Sequence, residues 1–237
     1  MDIKALCVAH GIDLSQCGVS LGGGGFTLFN LKTSPVEFLS LAEDDYQRGG
    51  LSALVNATTN AKRAIVSQMD QLLISFGYDS FRWNVPRKVE KLRALGLLAP
   101  SLLRKAVTLR NLLEHEYETP SLSEVEEALD VASLFVLSAT GMFIPFDDVL
   151  EFSLYGTSDA GIPIKQVTVG LDRDPERVYY TAYAYECGDD GNVCVGQCEI
   201  PSGHALFDPM VKLSASMMLK YRVDQACKDF DAAFSAL

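Results

Sequence analysis

Apolar positions between residues 34 and 143 recur with the period of an α-helix. Ser34, Pro35 and Glu37 form a capping-box sequence, and the pattern after them predicts a helix to about Arg48. Further helices are predicted at 51–76, 86–97, 100–117 and from 120–124 to about 143. The connections between them are short, which indicates antiparallel neighbours in a bundle of four or five helices.

The apolar period changes to two after Pro145, as in half-buried strands. Strands are predicted at 149–155, 164–170, 178–187 and 193–200. A hairpin signal, Gly188 to Asn192, separates the last two, and Asp208-Pro209 begins a final helix to about Phe234. The expected second domain is a small antiparallel sheet with one C-terminal helix.

The first residues predict a short helix from Asp2 to His10 and a turn-rich stretch with four glycines, Gly22 to Gly25. The glycine run lacks the Lys-Ser/Thr of a phosphate-binding loop, so we interpret it as a turn. The fold class is therefore α+β. It comprises an N-terminal extension (1–33), a helical bundle (34–144) and a small α+β domain (145–237).

Charge refines this outline. The chain has 237 residues, 48% of them hydrophobic, and 31 acidic against 20 basic side chains give a net charge of −11. Such a chain is not expected to coat nucleic acid, because that requires a positive surface. From Arg82 to Arg110, however, eight basic residues and one acid give a local net charge of +7. The predicted RNA-binding residues of this segment are Arg87, Lys88, Lys91, Arg104 and Lys105, the first three as a surface stripe on one helix.

Six cysteines occur in a chain with no signal-peptide pattern, and we interpret them as reduced thiols of a soluble, cytoplasmic protein. Cys187, Cys194 and Cys198 lack the repeated C-x-x-C spacing of a zinc site, so neither metal nor cofactor is expected. A membrane span needs about 18 consecutive apolar residues, and no apolar run in the sequence is that long.

Aromatic residues gather at two places. Tyr78, Phe81 and Trp83 lie in one predicted loop, where they could stack on bases, although anchoring of the loop to a core is the favoured interpretation. Tyr179, Tyr183 and Tyr185 alternate along one strand. Packing beneath the last helix is favoured for them over base stacking.

The helix predicted over 100–117 carries one polar arc. At about 100° per residue, an apolar face covers the angles from about 200° to 320° relative to Arg110. Its residues are Leu102, Ala106, Leu109, Leu112 and Leu113. The opposite side, from about −20° to 140°, collects Tyr117, Arg110, Glu114, Asn111 and His115. Imidazole can move protons near neutral pH, and guanidinium can hold a phosphate as negative charge develops. This arc therefore suits metal-free cleavage of RNA.

The pattern Arg110-Asn111-x-x-x-His115-x-Tyr117, on the penultimate helix of an amphipathic bundle, resembles the signature of the HEPN superfamily. The resemblance spans about Ser34 to Phe143, under half of the chain. It implies a homodimer with two motif copies in one cleft and, in active members, a metal-independent endoribonuclease of toxin or antiviral-defence type, with RNA as substrate and an antitoxin or regulatory protein as a further partner.

Carried over to this sequence, the resemblance makes Arg110 and His115 catalytic and Asn111 supporting. Glu114 and Tyr117 complete the supporting set, and Tyr117 matches a tyrosine that can be a site of nucleotide modification in toxins. Three alternatives stay open. Arg110 and Glu114 could form an i, i+4 ion pair beside a structural His115. The bundle could be a non-catalytic module for dimerisation or for binding RNA or protein, with a C-terminal sheet that binds a protein or a small ligand. A transcriptional regulator is the weakest, since no helix-turn-helix spacing with a basic recognition helix is evident.

Overall fold

The computed structural model describes residues 2–97, 120–143, 146–155, 163–188 and 191–237. The chain divides into two compact units, residues 27–144 (the bundle unit) and residues 1–26 with 145–237 (the sheet unit). Within the described residues the fold is mixed α and β, with seven α-helices and one five-stranded antiparallel sheet. No helix in this part of the chain has the length and apolar run needed to cross a membrane.

The bundle unit contains α2 (Pro35–Arg48), α3 (Leu51–Ser75), α4 (Val85–Ala94) and α5 (Leu122–Phe143). Helix α3 packs against the other three, and α2 also contacts α5. The apolar residues on one side of α3, from Ala57 onward, are buried. Helix α3 packs against α5, whose Phe135 and Val136 are also buried. The hydrophobic core of the unit therefore lies along α3.

Capping explains where two of these helices begin. Ser34 Oγ accepts a hydrogen bond from the Glu37 amide, while the Glu37 carboxylate accepts one from the Ser34 amide, which confirms the predicted capping box. Ser121 and Glu124 make the same reciprocal pair before α5. Each box satisfies amide groups that have no partner within the first helical turn.

The sheet unit consists of the five strands in chain order, with helices α1 (Ile3–Ala9), α6 (Phe207–Met218) and α7 (Val223–Ser235). The strands are β1 (Gly18–Gly22), β2 (Val149–Tyr155), β3 (Pro163–Arg173), β4 (Val178–Gly188) and β5 (Gly191–Pro201). Neighbouring strands pair antiparallel throughout, and β4 and β5 form the predicted hairpin.

The residues before Ser34, which the sequence sets apart as an extension, contribute to the sheet unit up to Phe26. Helix α1 packs on β4 and β5, and β1 pairs with β2 at one edge of the sheet. The glycines after β1 have a specific role, because Gly23 adopts φ 95° and a Cβ there would lie 2.1 Å from the Asp148 carboxylate. That carboxylate accepts a hydrogen bond from the Gly24 amide, which fixes the turn against β2.

The single C-terminal helix predicted from Asp208 to Phe234 is wrong. Two helices are present, and the chain between them passes through left-handed backbone at Lys220 (φ 50°) and Arg222 (φ 53°). The Lys220 and Tyr221 amides close the end of α6 by bonding to carbonyls of its last turn. The reversal lets Phe230 of α7 stack on Phe152 of the sheet, with ring centroids 5.1 Å apart.

Candidate functional site

Helix α4 carries the described part of the predicted basic segment. Its start is fixed by Asn84, whose side chain accepts a hydrogen bond from the Arg87 amide at 3.0 Å. Arg104 and Lys105 lie outside the described residues, and so do all five residues of the polar arc, Arg110, Asn111, Glu114, His115 and Tyr117. Only Arg87, Lys88 and Lys91 of the predicted site are therefore placed by the structure.

Lys88 does not belong to the surface stripe predicted for it. Its side chain is 3% exposed, and its ammonium donates to the Asp70 carboxylate on α3 at 2.6 Å. The hydroxyl of the buried Ser80 donates to the other oxygen of the same carboxylate at 2.5 Å. The ion pair fixes α4 and its preceding loop to α3, so Lys88 is not available to RNA at the surface. The signal in the sequence was Asp70, a carboxylate among the buried positions of α3.

Arg87 and Lys91 lie outside this buried pair and contact aromatic residues of the preceding loop. The Arg87 guanidinium is 4.1 Å from the centre of the Trp83 ring, and the Lys91 ammonium is 4.3 Å from that of Tyr78. The two rings are 6.2 Å apart. These four side chains, Tyr78, Trp83, Arg87 and Lys91, form what we call the aromatic–cation surface.

The side chains of the aromatic–cation surface differ in their exposure to solvent. Arg87 is exposed, whereas Tyr78, Trp83 and Lys91 are half-buried, and the neighbouring Phe81 is 60% exposed. Phe81 is thus a surface residue, whereas the rings of Tyr78 and Trp83 are partly covered. A guanidinium that stacks on an indole uses its flat face, and its N–H donors lie in its plane, where they can reach a phosphate. The sequence gives one indication of this surface: Trp83 and Arg87 are four residues apart, a spacing at which side chains can make contact.

A second feature of the bundle unit was not predicted. A groove of about 410 Å³ on α3 is lined by Phe38 of α2 and by residues of α3 that include Lys62, Arg63 and Asp70. Both cations lie outside the Arg82–Arg110 segment, where the sequence concentrates positive charge. The groove adjoins the buried Asp70–Lys88 pair, since Asp70 belongs to both.

The cysteines of the sheet unit are free thiols. Burial raises the pKa of Cys7 to about 12 and those of Cys17 and Cys198 to about 11. Such thiols remain protonated at neutral pH, which makes them poor nucleophiles. Among the residues that the structure describes, no group of three or more His, Cys, Asp or Glu side chains is arranged to hold a metal ion.

The tyrosines of β4 correct the interpretation favoured from the sequence. Tyr180 is the residue that packs beneath a helix, with its ring centre 5.1 Å from that of Phe207 on α6. Tyr179, Tyr183 and Tyr185 lie on the opposite face of the strand and are half-buried. Alternation placed the three tyrosines correctly on one face, but that face is not the one the helices cover.

Searches against protein-family models, curated proteins and solved structures find no match to this chain. The function is therefore argued from the residues themselves.

Proposed function

We propose that this protein is a metal-independent endoribonuclease that acts as a homodimer and uses an HEPN-like bundle. The observation that carries the proposal is the grouping of Arg110, Asn111, His115 and Tyr117 on one arc of a predicted helix. In the proposed reaction, the 2′-oxygen bonds to phosphorus while the bond from phosphorus to the leaving 5′-oxygen breaks. His115 removes the proton of the 2′-hydroxyl or donates a proton to the leaving oxygen. Arg110 holds the phosphate as negative charge develops on its oxygens. Asn111 orients His115 or holds a phosphate oxygen.

The aromatic–cation surface supports the proposal as a place where RNA could be held. Arg87 is exposed over Trp83, and Lys91 lies over Tyr78, so each cation is paired with an aromatic ring in the manner of surfaces that bind single-stranded nucleic acid. Lys88 takes no part in RNA binding in this proposal, since its charge is neutralised inside the bundle. The expected RNA-contacting cations are Arg87, Lys91, Arg104 and Lys105.

Cleavage of end-labelled RNA in EDTA tests the catalytic claim. Arg110→Ala and His115→Ala should each lower the cleavage rate by about 100-fold or more, the usual scale for losing a general acid–base group or a charge-stabilising donor. Arg48→Ala is the matched control, because Arg48 is an exposed arginine of the same unit and its ion pair with Asp45 lies within its own helix. Cleavage that all three variants retain, or an inactive wild-type protein, would refute the proposal.

RNA binding is measured separately from cleavage. Trp83 is the only tryptophan of the chain, so its fluorescence reports directly on the aromatic–cation surface. Titration of the His115→Ala variant with a single-stranded RNA should quench this fluorescence, and Arg87→Ala should weaken the binding. Binding by the wild-type protein without any cleavage would favour the alternative, a non-catalytic RNA-binding module.

Light scattering of the purified protein should give the mass of a dimer.

A further inference from the structure

The face of the sheet that bears Tyr179 and Tyr183 forms a shallow concavity of about 650 Å³. Its lining includes Asp172 of β3, Tyr179, Thr181 and Tyr183 of β4, and Gln197 and Glu199 of β5. Thr181 lies at the middle of this set, opposite Glu199 on one neighbouring strand and Gly170 on the other. Because Gly170 has no side chain, the surface is low beside Thr181 and higher at the two tyrosine rings.

Two carboxylates line this concavity. Asp172 accepts a hydrogen bond from the Thr181 hydroxyl at 2.6 Å, and Glu199 is the cross-strand neighbour of Thr181. The whole sheet unit is acidic, with 17 acidic and 8 basic side chains and thus a net charge of −9. Aromatic rings beside carboxylates attract cations, whereas carboxylates repel the phosphates of a nucleic acid.

The protein already holds one cation at the edge of this concavity. The Arg177 guanidinium lies 4.3 Å from the centre of the Tyr179 ring and donates to Glu199 at 2.7 Å. It also bonds to Asp174 at 3.1 Å. A tyrosine ring together with a carboxylate is therefore a combination that this face is seen to use for a guanidinium. Tyr183 presents a second ring on the other side of Thr181.

We propose that this concavity binds a basic segment of a partner protein. One arginine or lysine side chain of the segment lies above Thr181, beside the ring of Tyr183, where the Asp172 carboxylate balances its charge. Glu199, which is bonded to Arg177, adds to the negative charge around this position. The site spans three strands of an acidic unit, so it suits a chain with several cations rather than a single small amine. This inference concerns the sheet unit and is independent of the proposed ribonuclease activity.

Fluorescence anisotropy with a labelled peptide of alternating arginine and serine tests the proposal on the full-length protein at about 150 mM salt, where long-range attraction is screened. Tyr183→Leu and the double variant Asp172→Asn/Glu199→Gln should each weaken binding at least tenfold. Tyr183→Phe keeps the ring and should bind within twofold of the wild type. The matched control is Glu43→Gln/Asp44→Asn, which removes two exposed charges from α2 of the bundle unit and should also change the affinity less than twofold.

Two results would overturn the proposal. Equal weakening by the two charge-removing double variants would show that the peptide responds only to net charge. Unchanged binding by Tyr183→Leu would show that the ring makes no contact with the peptide. The far-UV circular dichroism of each variant is measured alongside. If Tyr183→Leu is unfolded, Tyr183→Met takes its place in the test of the ring, and the two double variants still decide whether binding follows net charge alone.

Discussion

The two units place their charged side chains differently. In the bundle unit, Lys88 and Asp70 form an ion pair whose side chains are only 3% and 9% exposed. In the sheet unit, the pair of Arg177 and Glu199 lies at the surface, with each side chain 49% exposed. Helices in a bundle have neighbours on several sides, so a polar residue can face inward if it finds a partner. The strands of this sheet instead separate an apolar face beneath the helices from a polar face with the tyrosines.

Substitutions of charged residues should therefore have unequal effects in the two units. In the bundle unit, the Lys88–Asp70 pair is buried, so removing one of its two charges leaves the other uncompensated. In the sheet unit, the covered face gains its stability from apolar contacts, and the polar face should tolerate change. The predictions below test that contrast.

Replacement of tyrosines on the two faces of β4 should have the largest and most unequal effects. Tyr180→Ala removes a fully buried ring packed on Phe207 and should destabilise the protein by about 3–5 kcal/mol, as for other large aromatic residues in cores. Tyr183→Ala removes a half-buried ring and should cost about 1 kcal/mol or less. Urea denaturation followed by far-UV circular dichroism measures both. Similar losses would show that the tyrosine face is covered as well.

The buried ion pair is tested by Lys88→Met, which keeps most of the volume and removes the charge. The unpaired Asp70 should cost about 3 kcal/mol, the lower end for breaking such a pair, because Ser80 keeps its hydrogen bond to the carboxylate. Urea denaturation followed by Trp83 fluorescence reports on this unit. Arg87→Met, one position earlier and exposed, is the matched control and should cost about 1 kcal/mol or less. Equal costs for the two variants would contradict the buried position of Lys88.

The smallest effect concerns pH. Hydrogen bonds from the Ser34 amide and hydroxyl lower the pKa of Glu37 below its ordinary value of 4.5. A lowered pKa means that the ionised carboxylate stabilises the fold above the ordinary pKa and that this contribution is lost as pH falls through the folded value. Glu37→Gln retains an acceptor that does not titrate. The difference in stability between wild type and variant should therefore shrink as the pH falls below about 4.5, and a difference that is constant with pH would contradict the assignment.

Sequence patterns predicted those parts of the fold that depend on neighbouring residues along the chain. The capping box at Ser34 fixed the start of α2, and alternation gave β2 with the observed ends. Glycine at both ends of the β4–β5 turn likewise identified the hairpin. The reversal at Lys220 to Arg222 has neither glycine nor proline, so nothing local in the sequence marked the end of α6.

Features that depend on distant residues were not predictable in this way. In the sequence, Lys88 belongs to a basic helix. Its burial depends on an ion pair with Asp70, eighteen residues earlier in the chain, which the local pattern does not reveal. Likewise, the alternation of Tyr179 and Tyr183 defines a face of β4, but the helices that cover the other face come from both ends of the chain. Arg87 and Lys91 were predicted at the surface, yet their contacts with Trp83 and Tyr78 became visible only in three dimensions.

The pairing of β1 with β2 also sets an order of events during synthesis. Gly22 pairs with Val149, so the first strand leaves the ribosome long before its partner, with the entire bundle unit made in between. The bundle unit is thus an insertion within a loop of the sheet unit. The bundle unit can therefore form its hydrophobic core while β1 is still unpaired. The chain leaves the sheet unit after Phe26 and re-enters it just before Phe146, and the ring centres of these two residues lie 5.0 Å apart.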